Sequence, residues 1–145
     1  MTLAIAAARE AGEVGEIPVG AAIVDDRDEL IALTANRRER DRDPTAHAEI
    51  LALREAGRKL DTWKLAGCRL YVTLEPCPMC AGAIAQSRIA QIIYGADDPK
   101  AGALRSVLNV PASAASFHRP EVIGGICESE CRYLLQSWFA RLRQE

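Results

Sequence analysis

Residues 69–80, RLYVTLEPCPMC, constrain this chain more than any other stretch. The apolar run Arg69–Leu74 reads as a buried strand, Glu75-Pro76 stops it, and residues 78–87 read as a helix. Cys77 and Cys80 therefore fall where the chain enters a helix. The C-x-x-C spacing can present both sulfurs to one metal ion, and a helix N-terminus lowers thiol pKa, so thiolates form readily there. The same setting also suits a thioredoxin-like redox pair.

His47-Ala48-Glu49 decides between these readings. Pro44 offers a stop and Thr45 an N-cap, and a helix is expected from about Ala46 to Arg58, ending near Gly57, with Ile50, Leu51 and Leu53 at helical spacing. His47 adds a nitrogen ligand to the two sulfurs. Three protein ligands leave one position of a tetrahedral zinc open, which is the arrangement of catalytic sites, whereas structural sites normally have four. A zinc ion so held can lower the pKa of water from about 15.7 to roughly 7. Glu49, two residues after His47, can face the same pocket and move protons without being a ligand.

The remaining pattern supplies a frame for that site. Leu3 to Ala11 suits a short helix stopped at Gly12, and Val19–Val24 and Leu30–Ala35 suit two strands joined by the polar turn DDRDE. Arg37–Asp43 reads as a charged loop in which Glu39, Asp41 and Asp43 nearly cancel the arginines. Ile89–Tyr94 is expected as a strand and about Glu128–Arg143 as an amphipathic helix. Residues 96–120, with Pro99, Gly102, Pro111 and Pro120, suit a long surface excursion near a site. Helices alternating with strands predict an α/β sandwich, helices covering a mixed sheet. With 145 residues, 49% of them hydrophobic, and no linker or repeat, a single domain over 1–145 is expected.

Composition narrows the partners. Apolar runs are too short and too often interrupted for a membrane span, so no membrane partner is expected. Residues 2–8, TLAIAAA, lack a basic flank before them and read as helix, not as a signal segment. Five cysteines, an odd number, argue against a disulfide framework and for a reducing cytoplasm. Cys68, Cys127 and Cys131 are read as buried free thiols, and Trp63 and Trp138 as packing residues. The net charge of −2 means that any nucleic-acid contact must come from a local basic patch.

H-A-E followed by P-C-x-x-C resembles the signature of the cytidine/deoxycytidylate deaminase superfamily, H-x-E…P-C-x-x-C. GEIPVGAAIV at 15–24, Asn36, DPTAHAEILALR at 43–54, GCRLYVTLEPCPMCAGAI at 67–84, SRI at 87–89 and YGADDPKAGA at 94–103 are similar to the bacterial branch that acts on the wobble adenosine, position 34, of tRNA. The resemblance implies a cytidine deaminase-like three-layer α/β/α sandwich with a mixed central sheet. It implies one zinc per subunit on His47, Cys77 and Cys80, and Glu49 as proton shuttle. Asn36 and the Ala48 backbone N–H would read the base. The loop carrying Asp98 and Lys100 and the last helix with Phe139 would lie along the nucleotides flanking the target. Arg119, with Lys100, Arg105 and Arg141, would meet phosphates.

The implied activity is hydrolytic conversion of adenosine to inosine in a tRNA anticodon stem-loop, by a cytoplasmic homodimer. Two departures from the branch fall in the segment expected to touch RNA: Arg105-Ser106, where a Gly-Ser step is usual, and Phe117 before His118-Arg119, where asparagine is frequent. Deamination of a free base or nucleoside (guanine, cytosine or cytidine) would use the same zinc centre with a smaller, closed pocket. A zinc-stapled RNA-binding module without catalysis would leave the three-ligand site and its carboxylate without purpose.

Overall fold

The computed structural model describes residues 1–145. Five strands form one sheet: β1 (Gly20–Val24), β2 (Leu30–Ala35), β3 (Arg69–Leu74), β4 (Gln91–Ala96) and β5 (Glu121–Ile123), in the order β2-β1-β3-β4-β5. β1 pairs antiparallel with both β2 and β3, whereas β3, β4 and β5 run parallel, so the sheet is mixed. The helices are α1 (Thr2–Glu13), α2 (Arg38–Asp41), α3 (Ala48–Leu60), α4 (Pro78–Gln86) and α5 (Glu128–Leu142). α1 and α5 touch each other and the sheet, while α3 packs on β1, β2 and α4. Helices on both faces explain why β4 is buried along almost its whole length. No helix is long and apolar enough to cross a membrane.

Small residues let the layers approach closely. α1 turns Ala4, Ala8 and Ala11 inward, α3 Ala48, Ala52 and Ala56, and α4 Ala81 and Ala85, against Leu70, Val72, Ile92 and Tyr94 of the sheet. Contact is tightest at Gly20, where a Cβ would stand 1.9 Å from the Ala4 carbonyl oxygen. No side chain fits there. The Gly20 N–H donates to Thr73 Oγ1 at 3.1 Å, tying β1 to β3.

Several expected boundaries move, each for a local reason. Gly12 lies inside α1, where it makes room for Pro18 and Trp138 and accepts the Trp138 indole N–H on its carbonyl at 3.1 Å. Thr45 does not cap α3, because its hydroxyl donates to Asp43 at 2.7 Å, and the helix starts at Ala48. Gly57 lies within α3, which runs on to a left-handed cap at Asp61. The charged segment folds partly into α2, held by an Arg37–Asp41 ion pair and by Glu16, which accepts the N–H groups of Glu39 and Arg40. β4 begins two residues later than expected. β5, three exposed residues, gave no apolar run to read.

Candidate active site

Beyond the C-terminal ends of β3 and β4 lies a cavity of about 200 Å³. Ligands of open α/β sheets gather at such crevices, outside the carboxyl ends of parallel strands. Two helices begin there. His47 is the N-cap of α3 and Cys77 the N-cap of α4, both in extended backbone, and neither side chain caps its own helix. Ser, Thr, Asp or Asn usually fills that position and spends its oxygen on the helix. Here the imidazole and thiol are free to face each other. Pro78 takes the first helical position, where its missing N–H costs nothing, and Cys80 sits one turn on, fully buried.

His47 Nδ1 stands 3.6 Å from Cys77 Sγ and 3.5 Å from Cys80 Sγ, and the three donor atoms lie within 4.8 Å of one another. A tetrahedral zinc, with Zn–S of about 2.3 Å and Zn–N of about 2.0 to 2.1 Å, requires an N···S edge of about 3.6 Å. Zinc therefore fits this trio. The sulfurs also interact without it: the hydrogen bond from Cys80 lowers the Cys77 thiol to about 4 against the opposing effect of burial, and His47 adds to the lowering. The bond to Cys77 together with burial pushes Cys80 far up, so the pair shares one proton. Contact with Cys77 raises His47 above the usual imidazole range.

Glu49 stands in the first turn of α3, only 4% exposed, and lines the cavity beside His47. Burial pushes its carboxyl up to about 6, with the neighbouring Cys77 charge adding to the rise. A carboxyl that titrates near neutrality can both accept and return a proton. Asn36 and Ala48 line the same cavity, along with Ile17, Val19 and Leu74. The Asn36 amide donates to the Ile17 carbonyl at 3.4 Å and accepts the Arg38 N–H at 3.3 Å. One N–H and one lone pair remain for a substrate. The Ala48 carbonyl accepts the Thr34 hydroxyl at 2.7 Å, and the Ala48 N–H, at a helix start, has no intrahelical partner.

The flanking candidates divide. Asp98 reaches the cavity wall, and Lys100 stands exposed beside it, its N–H on Asp98 Oδ1 at 2.9 Å. Phe139 is 42% exposed and stacks edge-on against Trp138, whose ring meets Gly12 close to Pro18, between two residues of the cavity wall. Arg119 lies elsewhere. It precedes β5, whose Glu121 pairs with Gln91 at the start of β4, and its guanidinium reaches the Ala112 carbonyl at 3.5 Å. At about 3.3 Å per residue, the length of β4 puts some 17 Å between that edge and the cavity. Arg105 is held by Asp97 at 2.9 Å and lies over the Tyr94 ring.

Two charged cavity residues escaped the sequence reading, along with the apolar wall residues Ile17, Val19, Leu74 and Ala101. Arg38 was submerged in a run of balanced charges, yet α2 brings it to the cavity wall. Glu75 looked like the end of a strand, yet it is 1% exposed and faces the cavity. A carboxylate between an apolar strand and a metal ligand was its only signal.

The family model for the cytidine and deoxycytidylate deaminase zinc-binding region matches residues 1–96. The tRNA-specific adenosine deaminase of Bacillus subtilis is 44% identical over 145 residues, which is all of this chain and 89% of that protein. Among solved structures, one from a study of A-to-I editing by tRNA:A34 deaminases at the wobble position superposes with a TM-score of 0.91 at 46% identity, covering 93% of this chain and 97% of that one. A guanine deaminase from Nitrosomonas europaea superposes with a TM-score of 0.79 at 29% identity, covering 96% and 82%.

Proposed function

The chain belongs to the cytidine and deoxycytidylate deaminase family, and from that membership we propose that it hydrolyses adenosine to inosine at the wobble position of a tRNA anticodon loop. The observation that carries the chemistry is the trio of donors at zinc spacing with the buried Glu49 beside it. Substrate choice follows the nearer relatives, 44–46% identical to the chain, over the guanine deaminase at 29%. His47, Cys77 and Cys80 hold the metal, which when bound supplies a Lewis acid that makes water a nucleophile near neutral pH.

The rest is done by the chain's own groups. Glu49 takes the proton of the attacking water, delivers it to N1 of the ring, and then helps the amine leave as ammonia. Asn36 and the Ala48 N–H hold the base while Ile17, Val19 and Leu74 exclude water around it. A base already splayed in a loop avoids most of the few kcal/mol needed to extrude one from a duplex. Asp98, Lys100, Arg38 and Phe139 would meet the neighbouring nucleotides. The setting is the cytoplasm, where tRNA substrate and a reducing medium for five free cysteines coincide.

Incubation with an anticodon stem-loop, followed by mass spectrometry of its nucleosides, should show inosine at one position and negligible product from free adenosine, cytidine or guanine. Faster turnover of free guanine would move the assignment to a free-base deaminase. Phosphate contacts release counterions, so binding should weaken as salt rises, and Lys100→Ala should flatten that slope by about one contact while zinc content stays the same. Arg119→Ala, at the far edge of the sheet, should leave a short stem-loop unaffected and matter only for longer RNA.

The protein is further read as a homodimer. Phe117, 84% exposed, lines a shallow pocket with Val110 and with Gly82 and Ala85 of α4, and Val107 and Leu108, a few residues before Val110 in the chain, are half exposed. That apolar surface suits burial against a second copy. Light scattering at micromolar concentration should give twice the chain mass; a stable monomer would remove this part of the reading.

A further inference from the structure

Glu75 closes β3 two residues before Cys77, and no basic side chain pairs with it. A buried carboxylate without a cation is costly unless hydrogen bonds replace its water. Here a single loop supplies all of them. One oxygen accepts the N–H groups of Leu104 (3.1 Å), Arg105 (2.9 Å) and Ser106 (3.0 Å), and the other accepts the Asp98 N–H (3.2 Å) and the Ser106 hydroxyl. At Gly102 a Cβ would stand 2.5 Å from the carboxyl group, so the chain is drawn around the anion more closely than any side chain permits. The Ala103 N–H fastens the same loop to the Pro76 carbonyl at 2.8 Å.

The consequence reaches the substrate side, because Asp98 and Ala101 of this loop form part of the cavity wall. We propose that Glu75 is a positioning residue for substrate affinity: its carboxylate gathers the Asp98–Ser106 loop and thereby sets the wall against which the target nucleotide binds. A structural filler at this place would need no charge, and an apolar residue would serve the strand end as well. This inference rests on the reading of the cavity as a nucleotide site. It requires no direct contact between Glu75 and substrate or metal.

Glu75→Gln is a selective probe, because an amide keeps one acceptor oxygen. Set against the three N–H groups of 104–106, that oxygen leaves an NH2 facing the Asp98 N–H, while the Ser106 hydroxyl can turn to accept. The loop should come loose at Asp98 and stay fastened at its other end. In the zinc-loaded enzyme, KM for the stem-loop should rise roughly tenfold, the effect of one orphaned buried donor, with kcat within about twofold. Zinc should remain at one per chain, amide exchange should quicken at Asp98 but not at 104–106, and Glu75→Asp, which keeps the carboxylate, should recover part of the loss.

Unchanged KM despite faster exchange at Asp98 would overturn the proposal, and so would loss of zinc, which would make Glu75 a support for Cys77. If Glu75→Gln does not fold, Ser106→Ala removes one donor only. A KM rise of about two- to fivefold is then expected, and no rise would again overturn it. Failure of the functional reading looks different, since the unsubstituted enzyme would be inactive on RNA. The same KM comparison would then be made on free guanine.

Discussion

Glu49→Gln is expected to keep one zinc per chain and to lower turnover of the stem-loop by about 10²- to 10⁴-fold, the usual contribution of a positioned general acid/base. The amide matches the carboxyl in size, so the packing of α3 survives while the proton shuttle is lost. Elemental analysis beside single-turnover kinetics decides it, and zinc falling in step with activity would make Glu49 a ligand. Stability should move the other way in the metal-free protein. Burial raises the Glu49 carboxyl to about 6 from an ordinary value of about 4.5, so between these the native protein binds a proton that the unfolded chain has already released. That contribution is complete below pH 4.5 and is lost as pH rises through 6. By pH 8 the buried charge costs about 2 kcal/mol, at about 1.4 kcal/mol for each pH unit of the rise. Glu49→Gln cannot ionise, so it should unfold at a higher temperature than the parent at pH 8 and show no such advantage at pH 4.

Removing both thiolates with Cys77→Ala/Cys80→Ala should abolish stoichiometric zinc and reduce activity to background. One imidazole is left, and a single neutral nitrogen cannot hold the ion in competition with solvent. Most of the core is apolar and offers no metal donor, with Leu70, Val72, Ile84, Ile92 and Tyr94 at its centre, so the helical signal in circular dichroism should persist. Zinc retained at one per chain would show that the ligands lie elsewhere.

Legibility differed between the chemistry and its surroundings for physical reasons. Residues that bind metal are few, chemically distinctive and anchored to helix starts, so His47, Cys77 and Cys80 could be picked out by type and spacing, with Glu49 two places after the first. β3 was read to its exact ends because an apolar run stops at a proline. Gly12 and Gly57 misled, since a glycine can mark a close approach inside a helix as well as its end, and only the partner across the gap tells which. β5 is short and exposed, and its pairing with β4 comes from the backbone. Glu75 and Arg38 depend on how distant segments fold together, and so does the place of Arg119 beside the outer strand β5.

The starts of α3 and α4 carry every group assigned to the bond-breaking chemistry, whereas the Asp98–Ser106 loop forms a separate stretch of the cavity wall. The two parts are joined through Glu75 and the Pro76 carbonyl, so the loop can vary where those bonds are kept. Helix starts seated on a close-packed sheet tolerate few changes, whereas loop positions that do not bind Glu75 or Pro76 can be recharged without disturbing them. A lineage built on this plan can therefore exchange one nucleobase or carrier for another while inheriting its hydrolytic step intact. The same division recommends the loop, and not the metal centre, as the place to begin when retargeting such an enzyme in the laboratory.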